Sequence, residues 1–435
     1  MVVNKKRVML LILITVYKIL LDISYVLYVN RVYEYMGFIY NLNVIKLFES
    51  YIFVLLIAVY LPLNESKPST IALNTLLFVM VVPFLSVYAL KDEYRLYTYA
   101  FVVCFLLTIS FIKILPNMII NQKFNLNRII IYVLFLMGLV VYGTLIIQNG
   151  IPTLALLDIS KVYEVRGTVK YGNDVIRYLV NWQANIVNIF FIILLWVKRE
   201  KKMFVVMCLL QILMYLITSH KAYLFYPIII PFIMYIVKKR KYIIGSIAGV
   251  IASIVLSLLL FFSNINVFAG SLVINRTLFL PAQISFQYYE YFSESGFVLL
   301  SHSILSFLFD TPLYNTNPIL IIGGQYYSNN WANTGYLGDA YMNFGIIGMV
   351  IFSLIFAVIL KIFDSLATTE LKKLITSGFM VVMMLLFTNG ALLTNLFFGG
   401  ILFYIFLLWL YDDKKYLILE KTNENKAAGE SRLCK

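Results

Sequence analysis

Charged side chains are scarce in this chain. Asp, Glu, Lys and Arg make up 13% of its 435 residues, while 62% of the residues are hydrophobic. That charged share is about half of the value for soluble domains, so the composition excludes an ordinary soluble enzyme and indicates a protein that lies mostly in lipid. Histidine is scarcer still, with two residues, and no spacing of His, Cys, Asp or Glu is typical of a metal site.

Cysteine is also rare. Cys104 and Cys208 lie in apolar runs and Cys434 lies in the C-terminal tail, so no pair is placed to form an extracytoplasmic disulfide. The motifs that bind nucleotide phosphates, the P-loop and the Gly-rich Rossmann fingerprint, are missing as well. We therefore expect a fold that packing alone holds together, with no metal and no organic cofactor.

What the chain does contain is one long apolar run after another. Runs of about 20 apolar residues have the length of a membrane-spanning helix, and they do not alternate as the strands of a barrel would. We predict an all-α polytopic integral membrane protein with about 12 transmembrane helices. The predicted spans are 8–28, 46–63, 70–90, 96–115, 129–148, 178–197, 203–219, 222–237, 243–262, 345–362, 374–390 and 396–411.

The net charge of +14 follows from where the basic residues lie. When the spans alternate in direction, 22 Lys and Arg residues fall on one side of the membrane and 10 on the other. Because basic residues are retained on the cytoplasmic side, this bias places both termini in the cytoplasm. We expect no nucleic-acid partner, since membrane topology accounts for the positive charge.

Two connections on the extracytoplasmic side are long enough to build a site. They cover residues 149–177 and residues 263–344, and the second is a large loop between predicted helices 9 and 10. We predict a single transmembrane domain over residues 1–411, followed by a polar cytoplasmic tail over 412–435. Within the larger loop, residues 297–309 are apolar but too few to cross the membrane, which predicts an interfacial or re-entrant helix.

The 82-residue loop combines aromatic rings with amide side chains. Aromatic faces and amides suit sugar rings, because a pyranose has an apolar CH face and a rim of hydroxyl groups. An interfacial aromatic belt also needs aromatic residues, though not this many amides, and both interpretations stay open. The set comprises Tyr288, Tyr289, Tyr291, Tyr314, Tyr326, Tyr327, Trp331, Tyr336 and Tyr341 with Asn315, Asn317, Asn329, Asn330 and Asn333.

Cations in the two loops could bind phosphate. Arg166 in the shorter loop and Arg276, the only basic residue of the longer one, each offer a planar fork that matches phosphate oxygens. The predicted topology places both histidines, His220 and His302, on the same side of the membrane. Each of them could act as an acid or base near neutral pH, or could serve as a structural hydrogen-bonding group.

Three stretches give the chain a family resemblance. TSHKAYLFYP, NRTLFLPAQISFQYYEYF and GYLGDAYMNFGIIG, together with the helix count and the late large loop, resemble the bacterial oligosaccharide repeat-unit polymerases, the Wzy-type enzymes of O-antigen and capsule assembly. The resemblance implies a metal-independent glycosyltransferase in the bacterial cytoplasmic membrane. Its substrate is an oligosaccharide on undecaprenyl pyrophosphate, and a growing glycan is transferred to the non-reducing end of one lipid-linked repeat unit. A chain-length regulator and a flippase are the partners that such an enzyme implies.

The resemblance also implies roles for individual residues. Arg276 and Arg166, supported by Lys221, would bind the leaving pyrophosphate. Asp339 would be the first choice as the base for the acceptor hydroxyl, and His302 the second. The further residues expected to bind substrate are His220, Tyr289, Asn333 and Tyr336.

Three alternatives remain at this stage. O-antigen ligases, which resemble the polymerases, usually carry a histidine just before the tyrosine that corresponds to Tyr336, and here Asn333, Thr334 and Gly335 precede it. A flippase for lipid-linked oligosaccharides should carry ionisable residues inside its helices, where this chain clearly has only Lys18 and Asp22. A sugar-binding scaffold without catalysis is the third alternative.

Overall fold

The computed structural model of the chain describes residues 5–118, 127–152, 167–265, 268–308, 312–327 and 331–411. These residues form helices and connections, with no strand among them. Ten helices are long and apolar enough to cross a membrane. The fold is therefore an all-α, multi-pass membrane fold, as the sequence predicts.

The helices follow one another along the chain with short connections. They are α1 Lys5–Met36, α2 Val44–Tyr60, α3 Pro68–Leu90, α4 Arg95–Ile114, α5 Asn127–Asn149, α6 Asp174–Lys198, α7 Lys201–Thr218, α8 Lys221–Lys238, α9 Tyr242–Phe262, α10 over residues 268–295, α11 Pro318–Tyr326, α12 Tyr336–Leu366, α13 Glu370–Phe387, α14 Leu392–Phe397 and α15 Ile401–Leu410.

All twelve predicted spans coincide with helices. The ten candidates comprise α1, α3 to α9, α12 and the pair α14 and α15 taken together. The other two predicted spans are α2, which has 17 residues, and α13, whose first turn carries Glu370, Lys372 and Lys373. The number of twelve crossings stays a prediction.

Polar residues and prolines mark where several helices begin. The Asn43 side chain caps α2 by accepting the N–H of Lys46 at 3.1 Å, and Asn173 caps α6 in the same way. Asn317 caps α11, whose first residue is Pro318. A side-chain oxygen at this position satisfies a backbone N–H that has no partner within the helix, and proline has no N–H to satisfy.

The chain divides into two compact units. The first comprises Met1–Pro116, Phe232–Lys361 and Ser377–Gly399, and the second comprises the remainder, so the boundaries pass through α8, α12 and α13. Both units are built from the predicted transmembrane region, and the single transmembrane domain over residues 1–411 stays a prediction.

In the first unit, a set of polar contacts joins helix ends on one side. Lys6 at the start of α1 pairs with Glu65 at 2.7 Å, and Glu65 accepts the N–H of Tyr242 at the start of α9 at 2.7 Å. Lys113 near the end of α4 donates to the carbonyl of Tyr60 at the end of α2, at 3.0 Å. The predicted alternation of spans places all these ends on the cytoplasmic side.

The opposite ends of the same helices meet α10. The contacts of α10 with α1, α3 and α4 are Tyr25–Phe279 with ring centroids 5.3 Å apart, Phe84–Phe286 with ring centroids 4.2 Å apart and the hydroxyl pair Tyr97–Ser285 at 2.7 Å. All three contacts come from residues 279–286, so the middle of α10 packs against these helices. The sequence predicts a loop here, whereas the structure has a 28-residue helix in which every residue from 281 to 288 is buried.

The predicted interfacial helix at 297–309 is wrong over the residues that the structure describes. Residues 297 and 298 have no regular structure, residues 299–305 form turns, and a single helical turn follows at Ser306–Leu308. Backbone N–H groups that a helix would use internally are bonded elsewhere: those of Val298 and Leu299 donate to the carbonyls of Met342 and Asn343, at 3.0 and 3.3 Å. The apolar composition reflects packing, not helical periodicity.

A break divides α12 where the sequence predicts that a span begins. Phe344 and Gly345 have non-helical dihedral angles, and Gly345 has φ +62°. A Cβ atom at Gly345 would also lie 2.7 Å from the ring of Phe297. Only glycine fits such a position, so the break separates an N-terminal arm, residues 336–343, from the long apolar part of α12.

The second unit contains an uncharged polar network between its helices. Asn188 of α6 donates to the hydroxyl of Tyr142 in α5 at 2.9 Å and to the Gln211 side chain in α7 at 2.7 Å. Tyr226 of α8 donates to Asn185 of α6 at 3.1 Å. Amides inside a membrane protein need such partners, so these bonds fix the register of four helices.

Topology can be tested on either side of the first unit. Cysteine at the exposed position 294, introduced as Glu294→Cys, should react with a membrane-impermeant thiol reagent in intact cells, because α10 lies on the predicted outer side. Lys239→Cys in the basic KKRK cluster should react only after lysis. The unaltered chain gives the background from its own cysteines, and labelling of Lys239→Cys with protection of Glu294→Cys would invert the predicted orientation.

Candidate functional site

Three segments of the first unit meet around Asn343. Its side-chain nitrogen donates to the carbonyl of Asp339 at 2.8 Å, and its side-chain oxygen accepts the N–H of Leu300 at 2.8 Å. Nearby, the ring of Tyr341 lies 4.9 Å from the ring of Tyr289 in α10. The arm of α12, the turns after α10 and the end of α10 are thereby held together.

Asp339, the first choice for a base, is a buried carboxylate with two hydrogen bonds. One oxygen accepts the N–H of Leu392 at 3.0 Å and the other accepts the Asn343 side chain at 3.1 Å. The residue is 5% exposed. Its carboxylate ties the start of α14 to α12.

Tyr289 is held in a group of four tyrosine rings. It stacks on Tyr97 with centroids 4.8 Å apart and lies 4.9 Å from Tyr341 and 5.1 Å from Tyr94. Tyr97 and Tyr341 are buried, Tyr289 is half-buried and Tyr94 is 45% exposed. The group therefore passes from the core to the surface and presents ring faces there.

Beside this ring group lies an exposed carboxylate. The hydroxyl of Tyr326 in α11 donates to Glu290 at 2.9 Å, and burial together with this bond raises the pKa of Tyr326. Deeper in the unit, Tyr327 donates to Gln287 at 2.7 Å and accepts a hydrogen bond from Gln283 at 3.2 Å. The amides of α10 thus fix α11, and α11 orients Glu290.

Arg276, the predicted phosphate ligand, lies on α10 as Tyr289 does, but far from the ring group. Its side chain is exposed on a π-helical turn of α10. Thirteen residues separate Arg276 from Tyr289, which corresponds to about 20 Å along the helix axis. The guanidinium and the ring group therefore lie at separate places along α10.

His302, the second choice for a base, has the geometry of an oriented imidazole. Its Nε2 atom lies 2.8 Å from the carbonyl oxygen of Tyr314. Because a carbonyl only accepts hydrogen bonds, Nε2 carries the proton, and in the neutral ring Nδ1 keeps its lone pair. The side chain is half-buried, and Leu300 ties its turn to Asn343.

The remaining predicted site residues have different surroundings. Tyr336 is fully buried and stacks on Phe356 with centroids 4.7 Å apart, so it occupies a core position. Asn333 is exposed just before α12. His220 and Lys221 belong to the second unit, where the His220 ring lies 5.2 Å from the ring of Tyr223.

Arg166 lies outside the described residues. The neighbouring part of the predicted shorter loop is described: Asn149 and Lys170 exchange two hydrogen bonds between the Asn149 amide and the Lys170 backbone, at 2.9 and 2.8 Å. This pair closes the ends of the connection between α5 and α6.

No family model, no curated protein and no solved structure matches this chain. The functional assignment therefore rests on the chemistry of the residues and on their geometry.

Sequence reasoning missed three residues of the site. Asn343 lies in the GYLGDAYMNFG stretch, and its place four residues after Asp339 is the helical spacing that could have paired them. Glu290 stands inside the aromatic run FQYYEYF, where a lone carboxylate was a usable signal. Tyr94 lies in a short connection about 195 residues away from Tyr289, and no local pattern predicts that contact.

The structural role of Asp339 predicts a loss of stability. Asp339→Asn places an amide where the side chain accepts two hydrogen bonds, and leaving one of the buried donors without its acceptor costs about 1–3 kcal/mol. We expect a lower temperature of thermal unfolding for the purified protein in detergent. Glu290→Gln, which changes an exposed carboxylate in the same way, should unfold near the wild-type temperature. Equal stability of both variants would contradict the structural role.

Proposed function

We propose that the chain is a polymerase of lipid-linked oligosaccharide repeat units, a Wzy-type glycosyltransferase. The observation that supports this best is α10, which carries an exposed guanidinium and, about 20 Å along its axis, a tyrosine and carboxylate surface. One set of groups suits pyrophosphate and the other suits sugar, both on the predicted outer side of the membrane. An undecaprenyl-pyrophosphate-linked oligosaccharide has both chemistries in one molecule.

In the proposed reaction, a hydroxyl oxygen of the acceptor sugar attacks the anomeric carbon of the donor glycan. The bond between that carbon and the pyrophosphate oxygen breaks, and the pyrophosphate leaves with the electron pair. The hydroxyl proton passes to a base. We assign this role to His302, since its proton-bearing Nε2 is fixed on Tyr314 and Nδ1 keeps its lone pair, whereas Asp339 is buried and already bonded.

The separation along α10 refines the role of Arg276. A cation about 20 Å from the ring group does not touch a leaving group next to the reacting sugar. We assign Arg276 to the pyrophosphate of the acceptor lipid, whose non-reducing end reaches the ring group. Arg166 and Lys221 remain the predicted ligands of the leaving pyrophosphate.

A flippase receives less support from the charges inside the helices. Lys18 contacts both carboxylate oxygens of Asp22, at 2.7 and 2.8 Å, and Tyr51 donates to Asp22 at 2.9 Å. This intramembrane pair is neutral as a whole and satisfies its own hydrogen bonds. A ligase would join finished polymer to another lipid, and the GYLGD stretch lacks the histidine expected before Tyr336.

Deleting the gene tests the function. We expect lipid-linked single repeat units to accumulate on the outer face of the cytoplasmic membrane and the long-chain glycan ladder to disappear. Periodate or lectin accessibility in spheroplasts gives the side, and gel electrophoresis gives the ladder. Units stranded on the inner face would identify a flippase, finished polymer that stays on its lipid would identify a ligase, and an unchanged ladder would reject all three.

Arg276→Ala should weaken the binding of the lipid-linked acceptor and leave the rate of the chemical step nearly unchanged. Loss of a charged hydrogen bond to the acceptor pyrophosphate should raise KM about ten-fold or more with little change in kcat. The assay follows polymer formation by the purified protein at increasing concentrations of lipid-linked repeat unit. Arg276→Lys keeps the charge without the fork and should recover part of the loss.

Lys170→Ala, at an exposed position of the shorter loop, is the matched control and should behave as wild type. If kcat of Arg276→Ala falls and saturating substrate does not restore it, Arg276 contacts the leaving pyrophosphate and not the pyrophosphate of the acceptor.

A further inference from the structure

The end of α10 and its neighbours form a surface that is defined by Tyr94, Tyr289, Tyr326, Glu290 and Glu294. Its residues come from the α3–α4 connection, from α10 and from α11. Glu290, Glu294 and Tyr94 are exposed, and Tyr289 and Tyr326 are half-buried. We call this group the tyrosine–glutamate surface.

The rings of this surface are fixed before any ligand arrives. Tyr289 stacks on the buried Tyr97 at 4.8 Å, and the hydroxyl of Tyr97 exchanges a 2.7 Å hydrogen bond with Ser285. Tyr94 lies against Tyr289 at 5.1 Å with an angle of 53° between the ring planes. Two tilted rings, one of them stacked on a buried ring, thus stand at this surface, and aromatic rings of this kind suit the apolar face of a sugar.

Glu290 supplies the polar partner beside these rings. One of its oxygens accepts the Tyr326 hydroxyl at 2.9 Å, and within the described part of the chain no cation pairs with the carboxylate. Two nearby carboxylates are paired with cations: Asp92 with Lys46 at 2.6 Å and Glu93 with Lys91 at 3.0 Å. Glu290 therefore keeps lone pairs for the hydroxyl groups of a ligand.

The local charge determines which sugars fit. Burial raises the pKa of Tyr94, and the neighbouring Glu290, Glu93 and Glu294 raise it further. Because Glu93 is paired with Lys91, the negative charge beside this exposed ring comes from Glu290 and Glu294. A negative field of this kind repels a carboxylate or phosphate on the ligand and accepts a neutral or cationic group. A membrane-interface belt, by contrast, needs aromatic rings without carboxylates between them.

We propose that the tyrosine–glutamate surface binds the non-reducing end of the acceptor oligosaccharide and selects a neutral sugar or an amino sugar over an acidic one. The sugar packs its CH face against Tyr94 and Tyr289, and its hydroxyl groups donate to Glu290. The acceptor role rests on the proposed function, whereas the sugar-binding property does not. The distance of about 20 Å to Arg276 places the bound sugar several residues away from the pyrophosphate end of the same molecule.

The test is direct binding to the full-length protein in lipid nanodiscs. The probes are the methyl glycosides of glucose, galactose, N-acetylglucosamine, glucosamine and glucuronic acid, observed by saturation-transfer NMR. We expect at least one neutral or amino glycoside to bind and the glucuronide to bind at least ten-fold more weakly or not at all. No binding by any glycoside, or preferred binding of the glucuronide, would overturn the proposal.

Variants locate the binding on this surface. Glu290→Gln keeps the shape of an exposed side chain and should weaken binding about ten-fold, because a charged acceptor is lost. Tyr94→Ala removes one ring face and should abolish detectable binding. The controls are Tyr99→Ala, an exposed tyrosine elsewhere on α4, and Asp174→Asn, an exposed carboxylate of α6, and both should bind as wild type. Binding that both surface variants retain would reject this location.

The two proposals fail separately. If the purified protein binds a glycoside but deletion of its gene leaves the glycan ladder unchanged, the sugar-binding site is supported and the polymerase function is rejected. A lost ladder together with no glycoside binding would keep the polymerase and reject this surface as its acceptor site. Thermal unfolding of each variant in the same nanodiscs shows that a loss of binding is not a loss of fold.

Discussion

The hydrogen-bonding needs of α10 determine how the first unit is built. This helix carries amides and hydroxyls through a fully buried stretch, and an unpartnered polar group in such surroundings costs several kcal/mol. The side chains Gln283, Ser285 and Gln287 therefore bond to Met36, Tyr97 and Tyr327, at 2.7 Å in each case. These bonds fix α10 against α1, α4 and the residue after α11.

Hydropathy predicts the membrane helices well because each apolar run satisfies its own backbone and needs no distant partner. The same signal fails for α10, since its stability comes from partners such as Met36, which precedes Gln283 by 247 positions. The polar side chains of Gln283, Ser285 and Gln287 lower the hydropathy of this stretch, so the sequence predicts a loop. Only the distant acceptors and rings turn it into a buried helix.

The candidate site shows a similar division between what sequence could and could not predict. Residue chemistry indicated carboxylate, imidazole, guanidinium and tyrosine, and in the structure Asn343 bonds to the Asp339 carboxylate and, through Leu300, to the turn that carries His302. Sequence did not indicate which carboxylate is exposed. Asp339 is buried because it caps the start of α14, whereas Glu290 points outward from the last turns of α10, and that difference depends on contacts with distant segments.

The buried middle of α10 gives the proposed function its geometry. The bonds of Gln283, Ser285 and Gln287 hold the middle of α10, and Arg276 and Glu290 lie on either side of it, fourteen residues or about 21 Å apart along the axis. A pyrophosphate site near Arg276 and a sugar site near Glu290 can be occupied together only by a lipid-linked saccharide of matching length. A lipid-linked monosaccharide would reach one end alone and would lose the binding energy of the other. Under the proposed function, α10 therefore selects a complete repeat unit over its shorter precursors, and it does so without contacting the sugars between the two ends.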